Sequence, residues 1–315
     1  MIVFVWSTTM AINWYPGHMH KAKQAMRTIM SQVDVVIEVL DARLPYSSEN
    51  PMLSGIRGDK PCIKVLTKSD LADPVLTQQW QHTFEQVATM KAIVVSAKSP
   101  SNIKDLLTLC HQLSPHNAKQ TQQLNAMIMG IPNVGKSTLI NHLAGKSIAK
   151  TGNEPAVTKQ QQRIKLPRAI TLIDTPGVLW PKFDNQNNGY RLGITGAIKD
   201  TAISHDDMAI YAIEYLRDHY ASRLMARYQL PSLVGESEAI LQQIGQYRGC
   251  ISAGGMVDIT RAASILLNEI RDGKLGQITF ETPEMMHNER VVTERAIAAL
   301  AEKKAAKKVT RRRRK

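Results

Sequence analysis

Gly130-Ile131-Pro132-Asn133-Val134-Gly135-Lys136-Ser137 follows directly on the apolar run 124–129 and leads into a helix-compatible stretch, 137–144. G-x-x-x-x-G-K-[ST] between a strand and a helix is a phosphate-binding loop. Its glycines let backbone N–H groups wrap an anion, and the helix N-terminus adds positive potential. The spacing places Asn133, Val134, Gly135 and Thr138 around the phosphates, with Lys136 reaching the outer ones. The Ser137 hydroxyl is an oxygen donor for Mg²⁺.

Farther along the chain, Asp174-Thr175-Pro176-Gly177 follows the apolar run 169–173 and has the form D-x-x-G. Asp174 is a carboxylate for Mg²⁺, held through water, and the Gly177 N–H senses a terminal phosphate. Between the two motifs, Thr158 in Pro155-Ala156-Val157-Thr158 is placed to act as a switch threonine on the metal and the terminal phosphate. Upstream, Thr67-Lys68-Ser69-Asp70 follows the run 61–66 and is similar to N-K-x-D with Thr for Asn. A carboxylate at Asp70 accepts from guanine N1 and its exocyclic amine, donors that adenine does not offer. Lys68 lays its stem along the base, and Ser96-Ala97-Lys98 after the next apolar run is similar to the S-A-K element of guanine sites.

The order of these elements is unusual. The base-reading segments at 67–70 and 96–98 precede the phosphate loop, which precedes 158 and 174–177. In Ras-like GTPases the phosphate loop comes first, so the chain resembles a circularly permuted member of that class. Apolar runs at 33–40, 61–66, 92–95, 124–129, 163–166 and 169–173 predict an α/β domain on a six-stranded sheet. The first four are separated by helix-length segments, as in a parallel sheet. The last two sit one turn apart, as in a hairpin, which makes one strand antiparallel. Met19, Ala22, Met26, Ile29 and Val33 recur at helical spacing as a buried face. The polar stretch 182–189 reads as a loop, and from about 205 the pattern is helical, over 206–220 and 257–271.

Composition sets limits on partners. Of 315 residues, 43% are hydrophobic, ample for packed cores, and the net charge is +13. Residues 301–315 carry nine Lys or Arg against one Glu and predict a disordered basic tail that attracts a polyanion. Cys62, Cys110 and Cys250 have no metal or disulfide spacing, as expected in a reducing, cytoplasmic compartment. No apolar run reaches the roughly 18–20 residues of a membrane span. The expected division is an extension at 1–12, the nucleotide domain at 13–204, a helical domain at 205–300 and the tail at 301–315.

Further stretches carry a family likeness: Trp14-Tyr15-Pro16-Gly17-His18-Met19, Asp41-Ala42-Arg43-Leu44-Pro45, Asp174 through Lys182, Thr195 through Asp200, Val257 through Ala263 and Gly273-Lys274-Leu275-Gly276. Together with the motif order they resemble the bacterial ribosome biogenesis GTPase A family over about residues 13–282. Pro155-Ala156, where the family has Pro-Gly, and Thr67 depart from its pattern. The resemblance implies a GTP phosphohydrolase that acts on a precursor of the large ribosomal subunit, with GTP, Mg²⁺ and K⁺ as cofactors. The residue after D-x-x-G, where Ras-like enzymes carry a water-orienting glutamine, is Val178. The resemblance implies His18 in that role, and a histidine at a helix start also serves as a cap. It likewise implies that Asn133 helps to hold K⁺, the alternative being a turn residue. Arg248, Arg261, Arg271 and Lys274 are the implied contacts to ribosomal RNA, on a protein that is monomeric off the ribosome. Two other readings compete: a nucleotide-gated RNA-binding module without functional turnover, and a GTPase held on an anionic membrane by its tail.

Overall fold

The computed structural model describes residues 17–96, 98, 102–114, 123–149, 162–179, 183–198 and 203–313. Helix α1 (Gly17–Ile29) leads into β1 (Val35–Asp41), α2 (Pro51–Arg57) and β2 (Cys62–Thr67). Then come α3 (Pro74–Glu85), β3 (Met90–Val94), α4 (Ile103–Leu113), β4 (Leu124–Gly130) and α5 (Lys136–Ala144). The hairpin β5 (Gln162–Leu166) and β6 (Ile170–Asp174) completes one sheet in the order β3-β2-β1-β4-β6-β5. All neighbours are parallel except β5 and β6. The expected strands therefore form, within one or two residues at each end, and the last two make the expected antiparallel pair.

Every residue of β1 and β2 is buried, as expected of strands covered on both faces. Two charges interrupt their apolar run, Glu38 and Lys64, which are register partners joined at 2.7 Å. On the β1 side of the sheet Met26 and Val33 are fully buried, while Ile29 is half-buried and Arg27 exposed. The side chains of Met19 and Ala22 lie outside the described residues.

Beyond the sheet follow α6 (Gln186–Ile194), α7 (His205–His219), α8 (Ala221–Tyr228), α9 (Ser237–Tyr247), α10 (Ile259–Arg271) and α11 (Pro283–Arg313). Two apolar cores result, one around the sheet and one among α7 to α10. They meet on α6, where Leu192 belongs to the first and Ile194 to the second.

One expectation is corrected. The stretch 182–189 is not all loop, because α6 starts at Gln186 with Asn185 capping the Asn187 N–H. Its polar side chains are tied down from far along the chain: Asn185 and Asn187 donate to Glu289, and Asn188 accepts from Ser47. Past the expected boundary at 301, the backbone of α11 runs on through Arg313. Ala, Glu, Lys and Arg are strong helix formers, and here that propensity prevails over charge repulsion along the backbone.

α11 does not stay with the helical layer. Met286 packs with Trp80 and Phe84 of α3, in a third core under β1 and β2. The Trp80 indole donates to the Glu281 carbonyl at 3.0 Å. Arg191 of α6, fully buried, donates twice to Glu289 of α11.

Candidate functional site

In an open parallel sheet, loops leaving the carboxyl ends of the strands gather at one edge, and a crevice opens where the strand order reverses. Here it reverses between β1 and β4. Asp41 leaves β1, Thr67 to Asp70 leave β2, Ser96 follows β3, the phosphate loop leaves β4, and Asp174 to Gly177 leave β6. Segments scattered along the chain are therefore neighbours at one edge of the sheet.

The phosphate loop has the backbone its glycines require. Gly135 has φ +88° and Asn133 φ +61°. Gly130 admits no side chain, because a Cβ there would stand 2.7 Å from the Val39 carbonyl oxygen. Gly177 packs closely from the other side, with the Pro132 nitrogen 3.1 Å from where its Cβ would be. The Lys136 ammonium lies 2.5 Å from a carboxylate oxygen of Asp174, both buried. Ser137 and Thr138, in the first turn of α5, are half-buried.

The guanine element is braced against this loop. The Thr67 hydroxyl lies 2.8 Å from the Leu40 carbonyl and 2.5 Å from the Val134 carbonyl. It has one proton, so it donates to one of them at a time. Thr67 thus makes a side-chain link between this element and the phosphate loop. Lys68, in the left-handed conformation, donates to the Asn133 carbonyl at 2.6 Å and to Asp41 at 2.8 Å. Asp70 accepts from the Ser96 hydroxyl at 2.9 Å and the Lys98 ammonium at 3.0 Å. Burial pushes the Asp70 carboxyl up, but these two donors outweigh it and hold it below its ordinary range, so it stays an acceptor.

The Asn133 amide nitrogen donates to the Gly196 carbonyl at 2.9 Å, which fixes the loop to the turn after α6. Val178 is fully buried; its N–H donates to Gly130 and its carbonyl accepts from Asn50. The side chain at that place is apolar. Thr158 and Ala97 lie outside the described residues, as does the side chain of His18, whose backbone starts α1.

Among the RNA candidates, Arg261 and Lys274 are exposed. Arg248 is shared with Arg227 on the buried carboxylate of Glu269. Arg271 is committed differently: it donates to the Gly193 and Ile194 carbonyls and ties α10 to the end of α6. Two of its N–H groups are thus turned inward, while the side chain as a whole is half-buried.

Asp41 and Arg43 belong to a stretch of family likeness, and the sequence pattern assigns neither of them a role. Both are buried, and Arg43 grips Asp41 as a fork at 3.0 and 2.8 Å. A signal is present in the chain: a carboxylate ends a mostly apolar strand, and an arginine follows two residues later.

The oxygen donors Ser137 and Asp174 suit Mg²⁺, a hard ion that takes its remaining ligands from nucleotide phosphates and water. Among the described residues no helix is long and apolar enough to cross a membrane.

Comparison with known proteins agrees with this geometry. Residues 125–235 match the family described as 50S ribosome-binding GTPase. The chain is 46% identical over 282 residues to Ribosome biogenesis GTPase A of Bacillus cereus, covering 87% of this chain and 95% of that protein. It is 43% identical over 282 residues to the protein of the same name from Priestia megaterium, covering 87% and 98%. Mitochondrial ribosome-associated GTPase 1 of Mus musculus is 31% identical over 291 residues, covering 85% and 89%. Among solved structures, GDP-bound YlqF superposes with a TM-score of 0.63 at 25% identity, covering 82% of this chain and 99% of that one. GNP-bound YlqF from T. maritima gives 0.60, also at 25% identity, covering 84% and 99%.

Proposed function

The chain belongs to the ribosome biogenesis GTPase A family, and from that premise we propose that it binds a late precursor of the large ribosomal subunit and hydrolyses GTP when the particle stimulates it. It is a GTPase with the circularly permuted Ras-like fold and a C-terminal helical part. The observation that carries the proposal is the convergence of Thr67–Asp70, Ser96, the phosphate loop and Asp174–Gly177 on one edge of the sheet.

Each residue has a task in that mechanism. Asp70 and Ser96 read guanine, and Thr67 and Lys68 hold that element on the phosphate loop. Lys136 exchanges its partner Asp174 for the outer phosphates when nucleotide enters. The freed Asp174, Ser137 and Thr158 would hold Mg²⁺, which neutralises charge on the phosphate oxygens. Val178 cannot orient water, so intrinsic turnover is slow. His18 at the start of α1 would supply a polar group when the particle positions it, and Asn133 would help to hold K⁺, which would add positive charge to the site. Arg261, Lys274 and the basic end of α11 contact ribosomal RNA through phosphates, giving affinity more than sequence readout. The protein acts as a cytoplasmic monomer.

The test is GTP hydrolysis by the purified chain in KCl and in NaCl, with and without large-subunit precursors. Strong stimulation by the particle, greater in K⁺, is the expected result. Tight GTP binding without stimulation would overturn particle-triggered hydrolysis and leave a nucleotide-gated RNA-binding switch.

A further inference from the structure

Asp41 ends β1 next to the crevice, buried and loaded with donors. Arg43 gives it Nε at 3.0 Å, Nη2 at 2.8 Å and its own N–H at 3.0 Å. Lys68 gives it an ammonium proton at 2.8 Å while reaching the Asn133 carbonyl of the phosphate loop at 2.6 Å. The Arg43 guanidinium extends to the Thr195 carbonyl, one residue before the carbonyl that anchors the Asn133 amide. One carboxylate therefore stands behind the guanine element, the phosphate loop and the turn after α6.

From the opposite side comes a strap, residues 278–281, joining α10 to α11. The Ile278 N–H donates to the Leu71 carbonyl at 2.9 Å and the Phe280 N–H to the Arg43 carbonyl at 2.7 Å. Thr279 accepts from the Asp73 N–H at 3.0 Å and lies 3.3 Å from the Ala42 carbonyl. Glu281 accepts from the Tyr46 and Ser47 N–H groups at 2.8 and 3.1 Å. The strap thus bonds to two loops, the one that follows the guanine element and the one that carries Asp41 and Arg43. It is also the covalent exit from the helical domain, so a force on that domain reaches those loops through it.

We propose that Asp41 is a positioning residue that sets the rate of guanine-nucleotide release by holding Lys68 on the phosphate loop, and that the strap 278–281 transmits engagement of the helical domain to it. The inference rests on the guanine assignment of 67–70. Asp41 touches no nucleotide; it acts through Lys68. Loss of its charge frees the ammonium and loosens the phosphate loop without altering the group that reads the base.

The test uses the full chain and a fluorescent GDP analogue released against excess GDP. Asp41→Asn is expected to speed release about tenfold, the scale of one charge-assisted hydrogen bond. Preference for guanine over xanthine nucleotides should hold, because the group that reads the base is unchanged. That readout separates positioning from general loosening of the site, which would lower it. Thr279→Val, remote from the nucleotide, should speed release severalfold. A folded Asp41→Asn protein with release within twofold of the parent would overturn the proposal. Where that variant fails to fold, an unchanged release rate in Thr279→Val overturns it instead. A parent protein that holds ADP as tightly as GDP would overturn the guanine assignment itself, whatever the Asp41 variant does.

Discussion

The Lys136 ammonium and the Asp174 carboxylate, 38 residues apart in sequence, form a buried ion pair of 2.5 Å across the ends of β4 and β6. The pair is charge-balanced, and in the proposed mechanism each group keeps the other until phosphate and metal arrive. Lys136→Ala removes the cation and leaves a buried carboxylate. The nucleotide-free protein should lose about 3 kcal/mol in urea unfolding, as for other broken buried pairs, and GTP binding by calorimetry should disappear. An unchanged urea midpoint would show that the pair contributes nothing to the fold.

In the proposed mechanism Asp70 reads the base as an acceptor, and Ser96 and Lys98 hold it in place. Asp70→Asn replaces an acceptor by a donor, which suits the extra carbonyl of xanthine. GTP affinity should fall by about 10²-fold or more and xanthosine triphosphate binding should rise. Competition binding with the two nucleotides checks this, and equal loss for both would remove Asp70 from base recognition.

Glu281 of the strap bonds to the loop that follows Asp41, and the two carboxyls shift in opposite directions. Burial alone would raise the Asp41 carboxyl, but Arg43 and Lys68 outweigh it and hold it well below the ordinary 3.8. Its stabilisation is therefore full above that value and is lost as pH falls through it toward the folded value. Burial wins at Glu281, whose carboxyl is raised, so its contribution favours folding at low pH and fades as pH rises. The stability gap between the parent and Asp41→Asn should be widest at neutral pH and narrow between about pH 5 and about pH 3. Urea midpoints across that range decide it; a gap independent of pH would show that Asp41 contributes no linked proton.

Removal of residues 301–315 takes away nine basic side chains. Binding of the truncated protein to ribosomal RNA fragments should weaken, and its salt slope should fall by about 0.7–0.9 for each phosphate that the tail neutralises. Basal GTP hydrolysis should stay as it was. An unchanged salt slope would place the tail off the RNA.

Much of the site is legible in the chain itself. The phosphate loop between a strand and a helix, the parallel strands before it and the antiparallel last pair each follow from local pattern, and each is found. The chemistry of Thr67 is not legible there, because its hydroxyl answers to the carbonyl of Val134, 67 residues away. Nor is α6, whose asparagines read as loop until Glu289, about 100 residues downstream, satisfies them. Arg271 reads as a surface cation because no sequence pattern shows a side chain turned inward onto the carbonyls of another helix.

Local sequence is enough to specify the nucleotide-binding elements, their permuted order and the strands that carry them. Those depend on backbone conformation and on apolar periodicity, which neighbouring residues dictate. Tertiary packing settles the rest: which charges pair across the crevice, where the strap 278–281 returns, and that α11 docks on α3 and α6. These contacts join residues tens to hundreds of positions apart. Their energy comes from burying polar groups with matched partners, and a partner is defined by the fold, not by the local chain.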